Sequence, residues 1–214
     1  MTRLRYDLFP TEMGWVAALS TDSGLRRLAL KPLPQEAMDE LGSAASGASL
    51  DPDALEDVRL RLEAHFRGED GAFDQVPLDL EDAPPFFKAA WEACRRIPRG
   101  ETRSYQWLAA QAGNPRASRA AGQAMAKNRL AVIIPCHRVI GSNGGLHGYG
   151  GGGLEKKARL LQMERVGPGN GAEPASVPGP TTGPEPVPAE AVRPPSPRPA
   201  SPLGARTARS SGRR

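Results

Sequence analysis

The chain has 214 residues, two cysteines and a formal net charge of +4 at pH 7. The two cysteines exclude the disulfide framework of a small secreted protein, no apolar stretch approaches the roughly 20 residues of a membrane span, and the N-terminus lacks a signal-peptide core, so we expect a cytoplasmic protein. The positive charge permits a nucleic-acid partner without requiring one, because much of the excess lies near the C-terminus.

Residues 1–80 have the pattern of a small α/β domain. Short strand-forming stretches separated by turn residues are found at 4–8, 14–20 and 25–30. We expect them to form a meander, followed by a loop at 32–49 that is rich in Pro, Gly, Ala and Ser. A helix then begins with Asp51 as its cap and Pro52 in its first turn. Its predicted apolar face consists of Leu55, Val58, Leu62 and Phe66.

Residues 83–166 predict a second, mainly helical domain. Its first helix begins at the Pro84-Pro85 pair. The apolar face of this helix carries Phe87, Trp91 and Cys94. Because the thiol falls on that face, we interpret Cys94 as a core residue rather than a reactive one.

Two short helices are predicted next, at 104–112 and 115–127. The Gly113-Asn114 turn joins them, and Asn114 can cap the second helix with Pro115 at its first position. Two helices joined by a short turn that contains glycine predict a helix-turn-helix.

An apolar, β-branched run at 131–134 predicts a buried strand that Pro135 ends. Cys136 follows, at the kind of strand end where α/β proteins often place reactive groups. A free thiol with a pKa of about 8.5 is mostly protonated at pH 7, so a nucleophilic Cys136 needs a base. His137 is adjacent, but neighbours on an extended segment point to opposite sides, so we expect a water to bridge them. Taken alone, such a cysteine is more often a small core residue.

The chain continues through a glycine-rich loop at 141–153 to a closing helix at 154–165. The core face of this helix is expected to carry Leu154, Ala158 and Leu161. Residues 167–214 contain almost no large apolar side chains, which predicts a disordered tail. Arginines in the tail could add loose electrostatic attraction to DNA, and a passive tail is an equally suitable interpretation.

Three motifs in order carry a resemblance to a known family. They are Gly100-Glu101-Thr102-Arg103-Ser104-Tyr105, Pro135-Cys136-His137-Arg138-Val139 and the segment 149–157. On these motifs the chain resembles the O6-alkylguanine-DNA alkyltransferases, also called methylated-DNA–protein-cysteine methyltransferases. The resemblance is dense at 84–164 and looser at 4–80. It implies an α+β fold, with a small RNase H-like α/β domain followed by a mainly helical domain that contains the helix-turn-helix and the active-site cysteine loop.

The resemblance implies DNA repair by direct reversal of O6-methylguanine, and of O4-methylthymine, in double-stranded DNA. Cys136 is similar to the acceptor that takes the alkyl group irreversibly. His137 resembles the base that deprotonates it through a water, and Glu164 resembles the carboxylate that orients His137. Asn128 is similar to the hinge asparagine, and Tyr105 to the phenol that donates to guanine N3. A thioether is a poor leaving group and no second cysteine is placed to resolve it, so we expect a single turnover without a cofactor.

Other residues resemble the family's positions for the flipped base and for DNA. Arg119 is similar to the arginine finger that fills the vacated space, on a helix whose small residues suit the minor groove. Tyr149 resembles the aromatic wall of the base pocket. The Cys136 and Val139 carbonyls match those that accept from the guanine amino group. Gly150 matches the residue whose amide contacts O6, although the four glycines before Leu154 are one more than the family spacing. Further substrate- or DNA-binding candidates are Arg116, Ala121, Gly122 and Met125. Candidates for phosphate contacts are Arg103, Arg116, Lys127 and Arg129.

Three other interpretations were weighed. A non-catalytic relative that binds alkyl lesions would lack the acceptor cysteine. A helix-turn-helix transcription factor would need long polar side chains on its second helix. A zinc site is not predicted, because the first domain has only His65 as a ligand of the usual type, and Cys94 and His147 are scattered. We therefore predict a monomeric enzyme that binds DNA, with no metal, no cofactor and no membrane partner.

Overall fold

The computed structural model describes residues 2–165, so the predicted tail lies outside the described residues. The described part is a mixed α+β structure, and none of its helices is both long and apolar enough to cross a bilayer. The strands are β1 (Arg5–Thr11), β2 (Gly14–Thr21), β3 (Gly24–Lys31), β4 (Ser49–Leu50), β5 (Arg103–Ser104) and β6 (Val139–Ile140). The α-helices are α1 (Pro34–Leu41), α2 (Glu56–Phe66), α3 (Pro85–Arg95), α4 (Tyr105–Gln111), α5 (Ser118–Ala126) and α6 (Gly153–Arg165).

The N-terminal sheet has the strand order β3-β2-β1-β4. The predicted meander is confirmed, since β1, β2 and β3 pair as antiparallel neighbours, and β4 adds to β1 in parallel. Successive side chains of a strand point to opposite faces of the sheet. Both faces of this sheet are packed against a core cluster. Val16 and Ala18 of β2 face the larger core cluster, whereas Ala17 and Leu19 face a smaller one.

The smaller cluster is covered by α1, which the sequence analysis expected to be a loop. Ala37 and Leu41 are buried against Ala17, Leu19 and Ala29 of the sheet. The prediction for 32–49 was wrong because Pro34 lies in the first turn of the helix, where proline is tolerated, and a single buried pair gives little periodicity.

The larger core cluster runs without interruption from the sheet to the helices of the second half. The predicted apolar face is buried, with Val58, Leu62 and Phe66 on α2 and Leu55 in the 3-10 turn before it. Asp51 is not the helix cap that was predicted, because α2 begins at Glu56 with Leu55 as its N-cap, and Asp51 Oδ1 accepts from the Ala54 amide within the preceding turn. Trp91 of α3 donates its indole N–H to the Ala124 carbonyl of α5 at 2.8 Å. Cys94 is fully buried in this cluster, as predicted.

Two details of the helices differ from the predictions. The helix expected at 115–127 begins at Ser118, because Asn114 Oδ1 instead accepts from the Arg116 amide within the preceding turn. Leu154 is 48 % exposed, and the core face of α6 carries Lys157, Leu160, Leu161 and Glu164. The buried face of α6 therefore includes two charged side chains, which both belong to the site described next.

Candidate active site

The buried stretch that leads to Cys136 is a turn and not the predicted strand. The Ile134 amide donates to the Leu130 carbonyl at 2.9 Å, and Val132 at the centre has a φ of 74°. This conformation is unfavourable for a β-branched residue, and the surrounding core holds it in place. A short apolar run cannot distinguish a strand from a turn when both are enclosed on all sides.

Cys136 begins a single 3-10 turn, Cys136–Arg138. The Cys136 amide donates to the Ile134 carbonyl at 2.7 Å, and the Arg138 amide donates to the Pro135 carbonyl at 2.9 Å. The segment is not extended, so the argument from alternating strand side chains does not apply to it. His137 Nδ1 is buried and has no hydrogen-bond partner within the described part of the chain. This nitrogen is therefore free to accept a proton.

Asn128, which follows the end of α5, fixes the position of the thiol. Its side-chain amide donates to Cys136 Sγ at 3.0 Å and to the Ile134 carbonyl at 2.9 Å. Its Oδ1 accepts from the Leu130 amide at 3.0 Å. These three contacts connect the end of α5 to the turn that carries the sulfur.

Glu164 of α6 holds His137 and Arg138 at once. His137 Nε2 lies 2.7 Å from Glu164 Oε1. Arg138 donates to both carboxylate oxygens, at 2.9 and 2.8 Å, and to the Ile97 carbonyl at 2.6 Å. A bidentate arginine fixes the plane of the carboxylate, and the carboxylate in turn fixes the orientation of the imidazole.

The protonation states follow from burial and from these pairs. Burial alone would raise the pKa of Glu164, but His137 and Arg138 hold it well below its usual range. Burial lowers the pKa of His137 more than Glu164 raises it, so the imidazole is neutral at pH 7. Burial raises the pKa of the Cys136 thiol, against the opposing effects of the Asn128 donor and the Lys157 charge. The resting site therefore holds a protonated thiol and a neutral base.

Lys157 is a site residue that the sequence analysis did not single out. Its side chain is fully buried, and Nζ donates to the Val139 carbonyl at 2.8 Å and to the His147 carbonyl at 3.2 Å. Burial lowers its pKa to about 8, and Cys136 opposes this shift. The sequence contains one signal that Lys157 is buried. It lies three residues before Leu160 and four before Leu161, on the core face of α6, although this spacing does not reveal its hydrogen-bond partners.

The two tyrosines predicted to line the base pocket are Tyr105 and Tyr149. The Tyr149 ring is buried edge-on to the His137 ring, with 6.5 Å between centroids. Tyr105 is half-buried at the start of α4 and lies 3.9 Å from the position that a Cβ on Gly122 would occupy. Burial raises the pKa of both phenols, so both stay protonated and can donate. Gly150 lies against the Ala126 carbonyl at the end of α5.

The other candidates fall into exposed and enclosed groups. Arg116, Arg119 and Lys127 are exposed, and Gly122 is half-buried on the same helical segment. Ala121 and Met125 are core residues, and Val139 is fully buried. The exposed side of α5 therefore presents basic and small residues, and its buried side connects to the site.

Two proposed phosphate contacts are engaged within the protein. Arg103 is buried and pairs with Glu101 at 2.6 Å. Arg129 pairs with Asp82 at 2.5 Å and donates to the Asp79 carbonyl, and its own carbonyl accepts from the Leu28 amide of β3. Both arginines therefore make contacts within the protein. Through Arg129, the segment after Asn128 is hydrogen-bonded to the N-terminal sheet. Charge alone could not separate them from exposed cations in the sequence.

A buried cysteine next to a histidine whose imidazole is held by a carboxylate is typical of proteins that form a covalent bond to a substrate at sulfur. Comparisons with known proteins identify the family. The family model described as 6-O-methylguanine DNA methyltransferase, DNA binding domain, matches residues 85–166.

Curated relatives and solved structures agree with this match. A methylated-DNA–protein-cysteine methyltransferase of Haemophilus influenzae is 36% identical over 172 residues, which cover 78% of this chain and 89% of that protein. The constitutive enzyme of Bacillus subtilis is 46% identical over 112 residues, 52% of this chain and 67% of that protein. A crystal structure of Mycobacterium tuberculosis OGT in complex with DNA has a TM-score of 0.63 at 36% identity, and covers 75% of this chain and 92% of that chain. The chain belongs to the methylated-DNA–protein-cysteine methyltransferase family, and the resemblance inferred from the three motifs is confirmed.

Proposed function

We propose that this protein repairs DNA by moving an alkyl group from O6 of guanine to the Cys136 sulfur. One observation carries the proposal. His137 follows Cys136 directly, with one imidazole nitrogen fixed on Glu164 at 2.7 Å and the other buried without a partner in the described residues. This is the order of nucleophile, base and orienting carboxylate that activates a thiol.

In the proposed reaction the thiol proton passes to His137, through a water molecule, and the thiolate attacks the alkyl carbon. The S–C bond forms as the C–O6 bond breaks, and the electron pair of the broken bond goes to the guanine. Tyr105, a protonated phenol, stabilises the departing charge by donating to guanine N3. The guanine ends with the proton that Cys136 lost, so no oxidant, reductant or cofactor is needed.

Each molecule reacts once under this proposal. The product is a thioether, whose sulfur is a poor leaving group near neutral pH. The only other cysteine of the chain, Cys94, is fully buried in the core on α3 and cannot take over the alkyl group. Both thiols are unpaired, which suits a reducing compartment such as the cytoplasm.

We propose that α5 docks in the minor groove of double-stranded DNA. The target carbon is not accessible inside a stacked duplex, so the base must leave the helix at a cost of about a few kcal/mol. Arg119 is exposed on α5, and Gly122 on the same helix lies over Tyr105. We propose that the Arg119 side chain fills the vacated space and that the protein acts as a monomer.

The flipped base has to open the site before it can react, because only 4 % of Cys136 is exposed. The segment at 141–153 is rich in glycine and carries Tyr149, whose buried ring lies edge-on to that of His137. Lys157 holds this segment through the His147 carbonyl. We propose that the segment moves outward around this attachment when a base enters.

The test is to mix the protein with duplex DNA that carries a labelled methyl group on O6 of guanine. We expect one equivalent of label on the protein, in the peptide that contains Cys136. Cys136→Ala should take up no label, whereas Cys94→Ala, the matched control, should behave as the wild type does. Tight binding of the lesion without any transfer would instead establish the non-catalytic alternative. Competition with O4-methylthymine DNA tests whether that lesion is also a substrate.

A further inference from the structure

We propose that His65 is a positioning residue for Glu164, a role that rests on the transfer reaction proposed above. His65 lies on α2 in the N-terminal part of the chain, far in sequence from every other group of the site. Its Nε2 is 3.6 Å from Glu164 Oε1. The same oxygen already receives His137 Nε2 at 2.7 Å and Arg138 Nη2 at 2.8 Å. Three nitrogens from separate side chains therefore face one carboxylate oxygen.

The surroundings of His65 leave its Nε2 one direction for a polar contact. The side chain is 1 % exposed, and its ring packs against the rings of Phe66 and Phe73, with centroids 5.8 and 5.0 Å away. Nε2 is buried and has no hydrogen-bond partner in the described residues. Glu164 Oε1 lies 3.6 Å from this nitrogen, so the pair brings a polar group of α2 up to the carboxylate of α6.

The charge state of His65 determines whether its Nε2 can donate a hydrogen to Glu164 Oε1. Burial lowers its pKa to about 3, and of the charged groups that face it Glu164 opposes the shift, whereas His137, Arg138 and Arg99 add to it. A neutral imidazole beside a carboxylate presents N–H and not a lone pair, because two electron-rich atoms repel each other. His65 therefore directs an N–H dipole at Oε1 and does not compete for the proton that His137 takes from Cys136.

This dipole has two effects on the site. It stabilises the ionised form of Glu164, so that the carboxylate orients His137 without removing its proton. It also holds the carboxylate from α2, so that the N-terminal part of the chain contributes to the geometry of the relay.

The first test measures the tautomer of His65 in the full-length wild-type protein by nitrogen-15 NMR of the imidazole ring. We expect the neutral form with the proton on Nε2 between pH 6 and pH 8, in the range where His137 must also act. A proton on Nδ1, with a bare Nε2 facing the carboxylate, would overturn the proposal. This readout does not depend on any variant or on DNA.

The second test compares two variants in single-turnover alkyl transfer. His65→Gln keeps a donor near the place of Nε2, and we expect a rate within about twofold of the wild type. His65→Phe keeps the ring and loses the donor, and we expect a rate about three- to tenfold lower, with the acidic limb of the pH–rate profile moved to higher pH. Equal rates for the two variants, or an unmoved profile in His65→Phe, would contradict a positioning role. If the wild type itself transfers nothing, the proposed function fails, and the NMR result still decides the tautomer.

Discussion

The side-chain amide of Asn128 donates to the Cys136 sulfur at 3.0 Å, so a residue just beyond the end of α5 is hydrogen-bonded directly to that sulfur. The same amide donates to the Ile134 carbonyl, and the Asn128 carbonyl oxygen accepts from the Leu130 amide. The helix α5, which we propose to dock on DNA, is thereby connected to Cys136 through one side chain. The amide also stabilises the thiolate, because it opposes the effect of burial on the pKa of Cys136.

Replacing this amide should affect both stability and chemistry. In Asn128→Ala the Leu130 amide and the Ile134 carbonyl lose their partner, and we expect the free energy of unfolding to fall by about 1–3 kcal/mol. The rate of single-turnover transfer should fall by more than tenfold, because the thiolate loses a donor and the turn loses its support. Asn114→Ala is the matched control, since Asn114 also bonds a backbone amide but lies outside the site. Equal rates in the two variants would show that the contact with sulfur has no chemical role.

The sequence predicted residues of the site, whereas parts of the backbone around them were missed. Cys136 and His137 were predicted from a motif and Glu164 from the family resemblance, and the structure places His137 and Glu164 in contact. The helix α1 and the turn at 130–134 were missed, because small or uniformly apolar segments carry no period that separates the alternatives. The roles of Lys157 and His65 depend on partners more than ten residues away, which no local pattern reveals.

Lys157 should control the ionisation of the thiol. Its charge favours the Cys136 thiolate, so Lys157→Met removes one of the effects that oppose burial and should raise the pKa of the thiol further. The rate of Cys136 alkylation by iodoacetamide, measured against pH, should therefore reach its midpoint at a higher pH. Lys156→Met is the control, because the neighbouring ammonium is half-buried and contacts the Leu30 carbonyl instead. A midpoint that moves equally in both variants would contradict this role.

The buried histidines should make the fold sensitive to acid. Burial lowers the pKa of His65 from 6.5 to about 3, so the folded chain stays neutral there while the unfolded chain binds a proton. Stability is therefore lost as the pH falls from 6.5 towards 3. In His65→Phe the loss should be less steep by up to about 1.4 kcal/mol per pH unit, the effect of one proton. Chemical denaturation at a series of pH values measures this slope. His147→Phe, at an exposed position, should leave it unchanged, and an unchanged slope in His65→Phe as well would show that His65 takes no part.

Arg119 should matter for duplex DNA and much less for single strands. If its side chain fills the space of the flipped base, Arg119→Ala should lower transfer from a lesion in a duplex by roughly tenfold or more, because the opened state loses its support. A single-stranded lesion leaves no such space, so the same variant should react with it at close to the wild-type rate. Arg67→Ala, which removes an exposed arginine after α2, is the control for net charge. An equal loss on both substrates would assign Arg119 to phosphate contact alone.

The most direct test of the account is the yield of repaired guanine when duplex DNA carrying O6-methylguanine is supplied in excess over the protein. We predict that one guanine is restored for each molecule of protein, after which the reaction stops and the protein carries one methyl group on Cys136. Repair that continues beyond one equivalent, or a methyl group found on any other residue, would contradict the assignment of Cys136 as an acceptor that is used once.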